Sequence, residues 1–404
     1  MDKEKITTLL LAGGKGERLY PLTKDRAKPS VPFGGIYRII DFTLSNAINS
    51  GLRKIYVLIQ YKSFSLQRHI REGWNIFSRE IDEFIDVVPA QMRFNEEWYQ
   101  GTADSVFQSI YFLNQEKPDI VLILSGDHIY KMNYRKMIEF HKEKKADLTI
   151  SVFEVPLTQA NRFGVLKIDK DFRIMDFKEK PVQPEASPLN PSVSFVSMGI
   201  YCFNTEALVK RLFEDAKNSN STHDFGKDVI PLMVQKDKVF AFPFIDENKK
   251  ETKYWKDIGT IDAYYEANMD LVNVDPILNL YDRTWPIRTH QEQLPPAKTV
   301  FSAGDRSGFA TDSIISPGCI ISGTRVHHSV LSPWTKLNSF SQVENSIILA
   351  DVQVGRYCKI KKAIIDKNVI IPPNTEIGYN LEADKKRFTI SENGVVVIPK
   401  NYLW

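Results

Sequence analysis

Leu9-Leu10-Leu11-Ala12-Gly13-Gly14-Lys15-Gly16-Glu17-Arg18-Leu19 is the stretch that decides how the first half of the chain is read. A short apolar run feeds three glycines, a lysine and an arginine. That is the pattern of a buried strand ending in a turn whose free N–H groups can meet an anion. The spacing fits neither common phosphate-loop template. No Gly-Lys-Ser/Thr follows as in a P-loop, and the dinucleotide pattern started at Gly14 and Gly16 would need a glycine where Leu19 stands. On these residues alone, a plain strand-to-helix turn competes evenly with a phosphate cradle.

Up to about residue 280, strand-like runs at Ile6–Ala12, Lys54–Gln60, Asp119–Leu124 and Leu148–Val155 alternate with helix-like patterns. The helical patterns are Ser63–Glu72, Ala103–Asn114 and Tyr134–Lys145. This alternation predicts an α/β domain with a largely parallel sheet and ligands beyond the carboxyl ends of its strands. Both the glycine loop and Ser125-Gly126-Asp127-His128 fall at such ends.

Beyond Gln291–Lys298, which contains Pro295-Pro296, the pattern changes. Aliphatic residues fall at Ile314, Ile320, Val326, Leu331, Leu337, Val343, Ile348, Val354, Ile360, Ile365, Ile371 and Ile377, in steps of six, six and five. No helix or hairpin sheet uses that spacing, but a three-sided parallel β-helix does, with one inward aliphatic per side. Ser329, Ser346 and Ala363 share one further slot on successive coils. The expected organisation is a first domain over 1–290, a linker over 291–299 and a β-helix over 300–404, with Val395–Ile398 capping or packing against the solenoid.

Composition excludes several classes. The 404 residues are 43% hydrophobic and 25% charged, with net charge +3 and interspersed signs, which argues against a nucleic-acid partner. The apolar runs are strand-sized, which argues against membrane spans, and the N-terminal run lacks a cleavage-site pattern. Cys202, Cys319 and Cys358 are isolated and odd in number, which points to a reducing, cytoplasmic setting rather than a disulfide or zinc framework.

The first half also carries the inventory that phosphoryl transfer needs. Arg26-Ala27-Lys28-Pro29 supplies cations after the glycine turn, and Gly101-Thr102-Ala103-Asp104 opens a helix. Asp127 follows a strand, as a Mg²⁺-binding carboxylate can. Glu179-Lys180-Pro181 and Trp255-Lys256-Asp257-Ile258-Gly259-Thr260 complete the set. Singly, each has a plainer reading as a turn, cap or solvated surface residue; jointly they point to a polyphosphate and metal site.

The stretches Leu11–Leu19, Arg26–Phe42, Trp98–Asp104, Gly126–Tyr130, Phe177–Pro181, Ser197–Tyr201, His223–Asp228 and Trp255–Thr260 together resemble the glucose-1-phosphate adenylyltransferase family, also called ADP-glucose pyrophosphorylases. Tyr281–Thr289, followed by Leu294–Lys298, is similar to the same family's passage into its β-helix. The resemblance implies a Rossmann-like nucleotidyltransferase domain followed by a left-handed parallel β-helix. It implies transfer of the adenylyl group of ATP to glucose 1-phosphate, with release of pyrophosphate. By the same resemblance, Leu11, Ala12, Gly13, Gly14, Gly16, Arg18, Lys28, Gln60, Trp98, Tyr99, Gly101 and Thr102 take ATP. The sugar phosphate falls to Tyr99, Gly164, Glu179, Lys180, Ser197, Tyr201, Asp224 and Trp255. Asp127 and Asp257 hold Mg²⁺, and Arg18, Lys28, Asp127 and Lys180 carry catalysis. The family also implies small-molecule effectors and a homotetramer. One position departs from it: Asp25 stands where enteric relatives have a lysine tied to sugar-phosphate activation, with Lys24 one residue earlier.

Three rivals compete with this reading. One is a nucleotidyltransferase using UTP, GTP or dTTP. Another is a non-catalytic regulatory subunit, against which the presence of Arg18, Asp127, Lys180 and Asp257 argues. The third is an acyl transferase with His327 or His328 as base, for which no second chemical cluster speaks.

Overall fold

The computed structural model describes residues 5–91, 98–187 and 190–404. Its first half is built on four parallel strands, β1 (Ile6–Leu11), β2 (Lys54–Ile59), β3 (Phe84–Pro89) and β4 (Ile120–Ser125), in the order β3-β2-β1-β4. The uninterrupted apolar runs follow from burial of both faces. Leu9, Tyr56, Leu58, Val121 and Ile123 point to one side, against Ala103, Val106 and Ile110 of the Thr102–Phe107 and Ile110–Glu116 helices. Leu10, Ile55, Val57, Leu122 and Leu124 point to the other, against Leu44, Leu66 and Met137 of the Ile39–Asn49, Phe64–Gly73 and Tyr134–Glu143 helices.

The sheet continues through β5 (Leu148–Pro156), β6 (Gly164–Ile168), β7 (Ile174–Glu179), β8 (Val193–Asn204) and β9 (Val239–Pro243). The long β8 runs antiparallel to β4, β5 and β6, while β9 lies parallel to β5. Between Ser197 and Tyr201 the register of β8 slips at a bulge, where Gly199 adopts φ +68°. Only glycine takes that backbone readily. A Cβ built on Gly199 would lie 3.6 Å from Ser125 Cβ and 3.7 Å from His128 Cε1, so the bulge pushes β8 toward the end of β4.

The second half is a parallel β-helix with three flat faces. One stacks Lys298–Val300, Ile320–Ser322, Lys336–Leu337, Gln353–Val354 and Ile370–Ile371. The next stacks Phe309–Thr311, Arg325–His327, Gln342–Glu344, Lys359–Lys361 and Glu376–Ile377. The third stacks Ile314–Ile315, Val330–Leu331, Ile347–Ile348, Ala363–Ile365 and Val396–Ile398. The inward residues follow the expected repeat from Val326 onward. On the first coil they are one place later, because Ile315 pairs with Leu331 and Ile321 with Leu337, leaving Ile314 and Ile320 outside the core row. That coil is one residue shorter than its successors. Val396–Ile398 continues the third face beside Ala363–Ile365 after an excursion through the Leu381–Lys385 helix. The serine slot is a hydrogen-bonded ladder: Ser346 N–H donates to Ser329 Oγ at 3.1 Å and Ala363 N–H to Ser346 Oγ at 3.2 Å.

The third face explains its doubled aliphatics. Ile315, Leu331, Ile348, Ile365 and Ile398 point into the solenoid, and their neighbours Val330, Ile347, Ile364 and Val397 pack on the first domain. They meet Val31, Phe33, Ile39, Tyr264 and Leu271 there. Each such side chain contributes about 1.5–3 kcal/mol when fully buried. Arg26 Nη2 donates to Asp366 Oδ1 and Oδ2 at 2.8 and 2.7 Å across the same seam, with both side chains buried. Arg26 thus belongs to the joint between the halves, apart from its near neighbour Lys28.

Candidate active site

Two carboxylates far apart in sequence meet below the glycine loop. Asp127 follows β4 through Gly126, where a Cβ would come within 2.7 Å of Leu10 Cδ2, so a larger residue would have to displace that buried side chain. The short strands His128–Tyr130 and Trp255–Asp257 then pair antiparallel, with Asp257 opposite His128. That pairing carries Asp257 to Asp127. Lys28, on the turn Lys28–Ser30, lies between them: its Nζ donates to Asp127 Oδ2 at 2.7 Å and to Asp257 Oδ1 at 3.0 Å. His128 Nε2 is 3.4 Å from Asp127 Oδ1 and 3.8 Å from Asp257 Oδ1, and Ser125 Oγ donates to Asp127 Oδ1.

The charges tune one another. Burial alone would raise the Asp127 carboxyl; the Lys28 ammonium and His128, with hydrogen bonds from Lys28 and Ser125, outweigh it and hold the group well below the usual carboxylate range. Burial likewise works against the charge on Lys28, and the two carboxylates outweigh it, so its pKa lies above the ordinary lysine value. Both groups are therefore ionised at neutral pH.

A divalent ion fits this donor set. Ligand atoms of Asp127, His128 and Asp257 all lie within 4.8 Å of one another, and carboxylate oxygens suit a hard cation. Gly259 leaves room beside Asp257: a Cβ there would be 3.1 Å from both Asp257 Oδ2 and Arg18 Nη2. The exposed Arg18 thus lies across Gly259 from Asp257, on the side of the glycine loop. Gly16, at φ +64°, turns that loop directly over Lys28, whose Cβ would lie 3.0 Å from a Cβ at Gly16.

Two wings flank this centre. On one, Gln60 packs against Gly13 and donates from Nε2 to the Tyr99 carbonyl at 3.3 Å, while Trp98 is exposed. Gly101 is pressed onto the chain, since a Cβ would fall 2.2 Å from the His223 carbonyl oxygen. On the other, Glu179 is wedged between Gly164 and Gly226, where added Cβ atoms would lie 2.9 and 2.7 Å from its Oε2. Lys180 Nζ pairs with Glu179 Oε1 at 2.9 Å and is otherwise solvent-facing. Tyr201 is buried nearby, hydrogen-bonded to Ser197, and burial pushes its hydroxyl pKa up. Thr102 Oγ1 donates to Asp224 Oδ2 at 3.0 Å and ties the wings together.

Residues 7–274 match the nucleotidyl transferase family, and residues 295–398 match the GlmU-like, C-terminal hexapeptide family. A glucose-1-phosphate adenylyltransferase of Koribacter versatilis is 54% identical over 98% of this chain and 95% of its own length. One from Rhodopirellula baltica is 55% identical, covering 98% and 90%, and one from Methylococcus capsulatus 53%, covering 98% and 93%. The chain belongs to the glucose-1-phosphate adenylyltransferase family. It is accordingly an enzyme of the nucleotidyltransferase class, and its solenoid is the left-handed hexapeptide type.

Of the expected site residues, Ala12, Lys28, Gly164, Tyr201 and Trp255 are buried, while Gly14, Arg18, Trp98, Thr102 and Lys180 are exposed. Trp255 is buried behind the carboxylates, against Phe153, Phe163 and His128, and Leu11 ends β1 below the loop. Sequence reasoning assigned no role to Ser125, His128, Gly226 or Gly259. The available signal was their position, each within two residues of a residue already chosen. His327 and His328 sit at a coil corner of the β-helix, bonded to Thr311 and Asn345. No helix among the described residues is long and apolar enough to cross a membrane.

Proposed function

We propose that the enzyme transfers the adenylyl group of ATP to α-D-glucose 1-phosphate, giving ADP-glucose and pyrophosphate, the glucosyl donor for glycogen synthesis. The observation that carries this reading is the meeting of Lys28, Asp127 and Asp257 under the glycine loop, in a chain similar end to end to glucose-1-phosphate adenylyltransferases. The sugar phosphate attacks the α-phosphorus in line and pyrophosphate leaves. A phosphate monoester with second pKa about 6 is already ionised at neutral pH, so the nucleophile needs no general base.

The task left to the protein is electrostatic. Arg18, Lys28 and the N–H groups of Gly13–Gly16 face the triphosphate, and Lys180 takes the sugar phosphate beside Glu179. Gln60, Trp98, Tyr99, Gly101 and Thr102 border the base; Gly164, Ser197, Tyr201 and Asp224 border the sugar, with Trp255 supporting them from behind. Asp127 and Asp257 would hold Mg²⁺, which, when bound, neutralises charge building on the phosphates. A cytoplasmic homotetramer responding to small-molecule effectors belongs to the same proposal, tested by light scattering and by assays with sugar phosphates, AMP and orthophosphate. The reaction is tested by pyrophosphate release with glucose 1-phosphate and ATP, UTP, GTP or dTTP in parallel. Preference for ATP supports the assignment, and preference for another nucleotide overturns it.

A further inference from the structure

We infer that Lys28 is a built-in counter-ion that keeps the carboxylate pair closed to a free divalent cation, and that nucleotide polyphosphate draws the ammonium away to open the site. This rests on the reading of Asp127 and Asp257 as the metal ligands and adds an order to it: the metal enters with the nucleotide and not before.

The geometry carries the inference. Lys28 Nζ bridges the two carboxylates, 2.7 Å from Asp127 Oδ2 and 3.0 Å from Asp257 Oδ1. Asp127 and Asp257 would hold the metal through carboxylate oxygens, and the ammonium now occupies one oxygen of each. The remaining oxygens are turned elsewhere. Asp127 Oδ1 is engaged by Ser125, and Asp257 Oδ2 faces Gly259 on the side of Arg18. Only 10% of the lysine side chain is exposed, so the ammonium is held inside the protein between the two carboxylates. Its stem runs directly beneath Gly16, so an anion held by the glycine loop would offer the ammonium another partner. A phosphate there would exchange one charge-assisted bond for another and free the carboxylates at the same moment.

Water-proton relaxation with Mn²⁺ as the probe tests this on the whole enzyme without turnover, since glucose 1-phosphate is left out. Wild type alone should give little enhancement and a large one after ATP is added. A unit charge within about 4–6 Å moves a neighbour's ionisation by about 1–3 pKa units, so Lys28→Met should bind Mn²⁺ about tenfold tighter or more without nucleotide. Lys28→Arg, which keeps the charge, should stay with wild type. Equal enhancement in wild type with and without ATP, or no gain in Lys28→Met, overturns the inference. If Lys28→Met does not fold by circular dichroism, Lys28→Gln replaces it in the same comparison. Adding Asp127→Asn to Lys28→Met should abolish the gained binding. If it does not, the carboxylate pair is not the metal site and the functional reading falls with it, whereas failure of the first comparison removes only the role of Lys28.

Discussion

Replacing Asp127 with Asn keeps the size of the side chain and an oxygen for Ser125, but removes the ionised oxygen that Lys28 holds at 2.7 Å. Asp257 would remain alone with the ammonium at 3.0 Å, leaving one negative charge in a site built for two. A preorganised charged contact at a reacting phosphate is worth about 3–4 kcal/mol of barrier, so kcat should fall about 10²–10³-fold. Stability should change by only about 1–2 kcal/mol, because Lys28 retains a partner and no cavity opens. The assay is continuous pyrophosphate release at saturating ATP and glucose 1-phosphate over a range of Mg²⁺, with a thermal melt of the same sample. A kcat within about threefold of wild type and an unchanged Mg²⁺ dependence would refute the reasoning, since that is under 1 kcal/mol of barrier.

Lys180→Ala should raise KM for glucose 1-phosphate about 10–100-fold, the worth of one charged hydrogen bond, with KM for ATP unchanged in steady-state kinetics. Arg26→Ala and Asp366→Ala should each cost about 3–5 kcal/mol in urea denaturation by leaving a buried charge unpaired, while the double variant costs less than the sum. Burial, helped by Lys142 and opposed by Asp147, pushes the His141 imidazole down to about 4, with its Nδ1 2.9 Å from Thr149 Oγ1. The unfolded ring titrates near pH 6.5, so the stability held by the neutral ring is complete above that pH and is lost as pH falls toward 4, by about 3 kcal/mol at most. Urea midpoints across that window should fall in wild type and flatten in His141→Gln.

The parts legible in the sequence are those that short-range pattern dictates. Leu9 and Leu10 had to face opposite covered sides, and a row of inward aliphatics at a fixed period has few geometries open to it. The same period misplaces Ile314 and Ile320 on the first coil, because the chain there makes a shorter circuit and Ile315 and Ile321 turn inward instead. The doublets Val330-Leu331, Ile347-Ile348 and Ile364-Ile365 each carry an apolar residue beyond the one inward aliphatic per side that the repeat requires, and it needs a second covered side. Only the fold shows that the second side is the catalytic domain. Lys28 could be chosen as a cation, but its bridge to Asp127 and Asp257 depends on a pairing between strands more than a hundred residues apart. The split between Arg26 and Lys28, two residues apart yet serving different joints, was likewise invisible to composition.

The most direct test of the central claim is phosphorus NMR of the enzyme with Mg²⁺, ATP and glucose 1-phosphate. The account predicts the paired diphosphate signals of ADP-glucose rising in step with pyrophosphate, each requiring both substrates. ADP or orthophosphate as the product, or pyrophosphate formed without glucose 1-phosphate, would contradict it.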